Sequence, residues 1–85
     1  MIMIYTAMLC PFCERAKNLL ESKQVTFEEV DVSYEPALRA EMRAKAGSNS
    51  VPQIWIGDTH VGGSDELFAL DQSGDLDRLI ADTAV

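Results

Sequence analysis

The chain has two cysteines, and both lie in one stretch, Leu9-Cys10-Pro11-Phe12-Cys13-Glu14. Three chemistries are open to a pair spaced this way. A structural zinc site needs four ligands, commonly two such pairs. The one further soft ligand is His60, far along the chain, so one copy of this chain cannot close a site. Two inert cysteines would act as small buried hydrophobes. The third possibility is thiol–disulfide exchange, and position argues for it. Proline suits the first position of a helix, which puts Cys10 at the N-cap, facing the unpaired amides of the first turn. Such surroundings favour the thiolate, the reactive form. Cys10 is expected to accept hydrogen bonds from the Phe12 and Cys13 amides and to attack a substrate disulfide. Cys13, one turn further in, would then attack Cys10 and release the reduced substrate. Pro11 removes one amide from the turn and stiffens it.

These residues need a frame. Met1 to Tyr5 is an apolar run of strand length. From Pro11 the spacing turns helical, with Phe12, Ala16 and Leu19, and also Cys13, Ala16 and Leu20, sharing faces. Val25 to Val32 reads as a second strand. Ser33-Tyr34-Glu35-Pro36 opens a helix that carries Leu38 and Met42 and stops at Gly47. Gln53 to Ile56 is a third strand, Gly57-Asp58 a hairpin turn, and Thr59 to Val61 a fourth strand. Gly62-Gly63 breaks the pattern. Ser64 caps a helix through Leu70, and a last helix starts near Asp75 after Ser73-Gly74. The order β-α-β-α-β-β-α(-α) describes an α/β fold, a four-stranded mixed sheet with helices on both faces. Its first two strands should be parallel through a right-handed crossover and its last two antiparallel. A C-x-x-C beside a βαβ pattern is a thioredoxin-like signal.

With 85 residues, residues 1–85 are expected to form a single domain with a small core. At 47% hydrophobic and 25% charged the composition is that of a globular protein. The net charge of −7 is uneven: past Ile56 there are seven acids and one base, Arg78. That is the opposite of a nucleic-acid footprint. No apolar run nears the roughly 20 residues of a membrane span. Tyr5 and Thr6 interrupt the apolar start, and no basic region precedes it, so no leader is expected. The expected compartment is the cytoplasm, where a purely structural disulfide would not persist.

Three segments carry a family resemblance. Ile4-Tyr5-Thr6 leads into Cys10-Pro11-Phe12-Cys13, which is similar to the CPYC site of dithiol glutaredoxins with phenylalanine for tyrosine. Ser50-Val51-Pro52-Gln53-Ile54 resembles that family's TVPQIF segment. Val61-Gly62-Gly63-Ser64-Asp65-Glu66-Leu67 resembles its IGG-C/S-D-D-L segment. The resemblance implies a thioredoxin fold that reduces protein disulfides and glutathionylated proteins, with glutathione as the reducing co-substrate and no metal required. It implies a cis Val51-Pro52 bond, whose Val51 main chain would pair with the cysteinyl backbone of glutathione. Ser64 and Asp65 match the positions that hold the γ-glutamyl end, the helix amides taking its carboxylate and Asp65 its ammonium. Gly62 and Gly63 would allow close approach.

Two positions depart from the pattern. Many relatives carry lysine where this chain has Ala7, and Leu9 replaces a commonly small or polar neighbour of the first cysteine. Arg39, Arg43 or Lys45 is then expected to supply the charge for the glycyl carboxylate. The expected partners are glutathione and disulfide or glutathionylated proteins, with no nucleic acid and no membrane, and the protein acting as a monomer. Two rival readings remain: a redoxin recycled by thioredoxin reductase, and a module in which two chains hold an iron–sulfur cluster through Cys10 and glutathione thiols.

Overall fold

The computed structural model of the chain describes residues 1–83. The elements run β1 (Ile2–Thr6), α1 (Pro11–Ser22), β2 (Glu28–Asp31), α2 (Pro36–Ala46), β3 (Gln53–Ile56), β4 (Thr59–Gly62), α3 (Ser64–Ser73) and α4 (Asp75–Thr83). The sheet order is β2-β1-β3-β4, parallel between β1 and β2 and antiparallel elsewhere. Parallel neighbours need a crossover, and α1 supplies it. The β3–β4 hairpin closes through Gly57-Asp58 with a positive φ of 60° at Gly57, as a II′ turn demands. No helix among the described residues is long and apolar enough to cross a membrane.

Strand alternation sorts the side chains into two layers. Ile2, Ile4, Ile54 and Ile56 meet Ala16 and Leu20 of α1, Leu67 of α3 and Leu76 of α4 in the larger core. Tyr5, Val32 and Met42 of α2 form the smaller one, flanked by Met3, Leu38, Val51 and Trp55. Helices therefore cover both faces. Leu67 is fully buried one turn after Ser64, so the start of α3 is fixed to the sheet. Truncating such a leucine costs about 2–5 kcal/mol.

Four elements differ in extent from the sequence reading: β1 runs Ile2–Thr6 rather than Met1 to Tyr5, and three others differ as follows. The second strand is Glu28–Asp31 rather than Val25 to Val32: its ladder with β1 runs from Met3–Glu28 to Thr6–Asp31, and the residues on either side lie outside it. Val25 and Phe27 pack against the larger core instead of pairing. The cap of α3 is Gly63, not Ser64, and the helix runs to Ser73 rather than Leu70. Here the Glu66 carboxylate reaches back to accept the Gly63 N–H at 2.6 Å, half of a capping box. Finally, β4 extends to Gly62 because a bulge leaves Val61 unpaired between Ile54–Gly62 and Trp55–His60.

Candidate active site

The chain turns sharply between β1 and α1, and two tethers hold that turn. The Met8 N–H donates to the Ser33 hydroxyl at 2.7 Å, and the Tyr34 hydroxyl lies 3.0 Å from the Met8 sulfur. The Ser33 hydroxyl and then its amide hold the Asp31 carboxyl below its ordinary value of 3.8. Leu9 adopts a left-handed φ of 54° and passes the chain to Cys10 at the N-cap, followed by Pro11 at the first helical position. The nucleophile's placement thus comes from a strained turn followed by a helix start.

Cys10 and Cys13 are joined in a disulfide, their Cα atoms 5.2 Å apart. Cys13 is 1% exposed, whereas Cys10 is partly open to solvent. The Cys13 N–H points at the Cys10 sulfur at 3.1 Å. No bond from the Phe12 amide to that sulfur is formed, so one of the two expected donors is present. With proline at the first position, the N-cap sulfur is met by the amide of Cys13, the third residue of the first turn. No basic side chain lines the pockets flanking the pair. Lys17 does not act as a substitute cation, because Glu14 at 2.7 Å and Glu29 at 3.1 Å hold it, Glu14 first, and raise it above 10.5.

Beside the disulfide, a groove of about 140 Å³ runs between two lips. One is Ser50-Val51-Pro52 and the other Gly63-Ser64-Asp65-Glu66, with Phe12 at the end. The Val51-Pro52 bond is cis, and the Val51 carbonyl oxygen lies 3.9 Å from the Cys10 sulfur. Gly63 closes the lips together: a Cβ there would stand 3.5 Å from the Pro52 carbonyl. Ser64 is 4% exposed and its hydroxyl has no partner. A buried hydroxyl without a hydrogen bond costs about 1–3 kcal/mol. Together with the unpaired first-turn amides of α3, it makes one end of the groove a cluster of unfilled donors.

The structure thus brings together Cys10, Cys13, Pro11 and Phe12 with Val51, Pro52, Gly63, Ser64 and Asp65. It also places two of the three basic candidates of α2, Arg39 and Lys45, on different sides. Arg39 donates to the Asn49 side-chain and main-chain oxygens at 3.0 and 2.8 Å, on the loop that leads to Ser50. Lys45 turns to the far face, over the rings of Trp55 and Tyr5. Two supporting residues escaped the sequence reading. Buried Gln53 donates to the Ser50 carbonyl and hydroxyl at 3.0 and 3.2 Å and meets His60 Nε2 through its Oε1 at 2.8 Å. That network pins the lip that carries the proline. Glu66, by capping α3, pins the other lip, and the spacing of Gly63 and Glu66 was its only sequence signal.

The Glutaredoxin family model matches residues 2–61. A glutaredoxin of Pseudomonas aeruginosa is 55% identical over 80 residues, 94% of this chain and 95% of that one. The chain belongs to the glutaredoxin family. Among solved structures, that of a glutaredoxin from Brucella melitensis is 52% identical, with a TM-score of 0.83 over 93% of this chain and 86% of that one. A buckwheat glutaredoxin–glutathione complex, at 22% identity, shares the fold with a TM-score of 0.90 over 98% of this chain and 78% of that one. This glutaredoxin is a thiol–disulfide oxidoreductase built on the thioredoxin fold, with Cys10 and Cys13 as its redox pair.

Proposed function

We propose that this glutaredoxin draws its electrons from glutathione and reduces glutathione mixed disulfides as well as protein disulfides. The observation that carries this reading is the groove beside Cys10, which runs between the cis Val51-Pro52 lip and the amide-rich start of α3 at Ser64-Asp65. A ligand with a carboxylate at that end satisfies those donors. In glutathione the γ-glutamyl group has that carboxylate, and its ammonium falls to Asp65. The Val51 main chain next to Cys10 suits the peptide backbone of the cysteinyl residue. Pro52 and Gly63 shape the two walls, and Arg39 is bonded to Asn49 on the loop that leads to the Ser50 lip.

On a glutathione mixed disulfide, the Cys10 thiolate attacks the glutathione sulfur, and the substrate leaves as its thiolate. A second glutathione thiolate then attacks the glutathionyl sulfur on Cys10, giving oxidised glutathione and regenerating the Cys10 thiolate. On a protein disulfide, Cys10 first bonds one substrate sulfur. Cys13 then attacks Cys10, releases the reduced substrate and forms the disulfide seen here, which two glutathione molecules reopen. Buried Cys13 is protected from outside attack, and Cys10, partly open to solvent, can be reached. The protein is proposed to act as a cytoplasmic monomer.

Turnover of a small glutathione mixed disulfide tests this, with glutathione and glutathione reductase in one arm and thioredoxin reductase in the other. The reading requires activity in the first arm, none for Cys10→Ser, and retained activity for Cys13→Ser. Activity with thioredoxin reductase alone would overturn it.

A further inference from the structure

Among the described residues five large hydrophobic side chains are left exposed; Met8, Leu9 and Phe12 lie in the segment that holds the redox pair, and Tyr34 lies against Met8. Tyr34 touches Met8, Leu9 and Cys10 share one pocket, and Phe12 lines the groove on the other side. Leu9 is the most telling: it is 94% exposed, in a left-handed conformation that disfavours side chains, and packs into no core. Folding gains nothing from leucine there. Clustered exposed apolar groups mark an interaction surface. This one adjoins the sulfur that must bond to substrate, so a protein substrate covers it in every turnover.

The charges around the rim complete the picture. The charged residues lining the two flanking pockets are Glu14 on one side and Asp65 and Glu66 on the other. Lys17 is shared by Glu14 and Glu29, which leaves that pair net negative. The geometry points to protein disulfides whose cysteine has an apolar neighbour and a nearby basic residue, with Leu9 as the residue that sets this preference. The inference rests on Cys10 as the attacking thiol but not on glutathione as reductant.

The test uses the full chain, reduced and freed of reductant, mixed with symmetric disulfides of short one-cysteine peptides. One peptide has leucine beside the cysteine and lysine nearby, one has serine and lysine, and one has leucine and glutamate. Cys10 bonds one peptide sulfur and expels the other peptide as a thiol. Cys13 then expels the second, so one peptide disulfide becomes two thiols and the protein dithiol becomes its disulfide. Acid quenching and mass spectrometry give the rates, each divided by that of dithiothreitol to remove differences in the leaving thiol. The leucine–lysine peptide should react about tenfold faster than the serine–lysine peptide, the scale of partly burying one leucine, and about threefold faster than the leucine–glutamate peptide, the scale of one exposed charge pair. Leu9→Ser should reduce the leucine-over-serine ratio to about twofold, while Leu9→Met preserves it. Equal wild-type rates, or a ratio unmoved by Leu9→Ser, would overturn the inference. Oxidised glutathione run in the same assay separates the two proposals. Reaction with it and no peptide preference leaves glutathione use standing and ends the inference. Peptide preference without it does the reverse.

Discussion

Gly62 sits where β4 hands the chain to α3, with a φ of 110°. A Cβ added there would meet Glu66 Oε1 at 2.9 Å and Glu66 Cγ at 3.2 Å. Glu66 is flexible and exposed, so it would swing away, but it would then give up the Gly63 N–H it holds at 2.6 Å. The backbone strain costs about 1–3 kcal/mol. The lost charge-assisted bond adds about 1 kcal/mol, the low end for an exposed acceptor. Gly62→Ala should therefore lose about 2–4 kcal/mol, a large share of the stability of so small a protein. At an m-value of about 1 kcal/mol/M, that shifts the urea midpoint of the reduced protein by about 2 M or more, read by circular dichroism. Gly74 provides the internal reference: its φ is 84°, and nothing lies within 4 Å of an added Cβ. Gly74→Ala reports backbone strain alone. The excess of Gly62→Ala over it, about 1 kcal/mol, should vanish when both are made in a Glu66→Ala background. If Gly62→Ala proves no costlier than Gly74→Ala, the argument that Glu66 holds the lip of the groove is wrong.

Ser64→Ala removes a buried hydroxyl that has no partner in the free protein, so thermal denaturation should show equal or higher stability, by up to about 1 kcal/mol, while the KM for glutathione rises. A loss of stability would mean the hydroxyl is already satisfied. Leu9→Asn, at a position where asparagine tolerates the left-handed turn, should gain about 0.5 kcal/mol in urea unfolding, which would show that leucine is kept there against stability. Lys23 ties the end of α1 to Asp71 at 2.6 Å and Asp77 at 2.9 Å, the Asp71 bond contributing most to raising it above 10.5. Its folded value is the higher one, so the stabilisation is complete below 10.5 and is lost as pH rises through the folded value. The melting-temperature gap between wild type and Lys23→Met should thus narrow above that pH and also in 1 M salt, as exposed ion pairs are screened.

The sequence spoke most clearly where one residue type dictates one geometry. Pro11 fixed the start of α1 and with it the N-cap role of Cys10, and Gly57-Asp58 fixed the hairpin. Alternating isoleucines in β1 and β3 announced the larger core. The second strand reads too long in the sequence because Val25 and Phe27 look like ladder residues, whereas in the fold they pack against the larger core. The cap of α3 was misplaced by one residue because serine is a stronger cap than glycine, while the deciding contact comes from Glu66 three positions on. The site was legible as three separated motifs through a family resemblance. Their convergence on one ligand was implied by the same resemblance; how the two lips are held, by Gln53 bonded to Ser50 and by Glu66 bonded to Gly63, was not. Which base of α2 lies near that loop also required coordinates: Arg39 and Arg43, four residues apart, share a face of the helix, and the bonds from Arg39 to Asn49 single it out.

The most direct measurement is of Cys13→Ser carrying one glutathionyl group on Cys10, its amide NMR shifts compared with those of the reduced variant. Large changes confined to Val51, Gly63, Ser64, Asp65 and the first turn of α1 are the predicted result. Changes scattered elsewhere, with Ser64 and Asp65 unmoved, would contradict the account and leave the groove without its ligand.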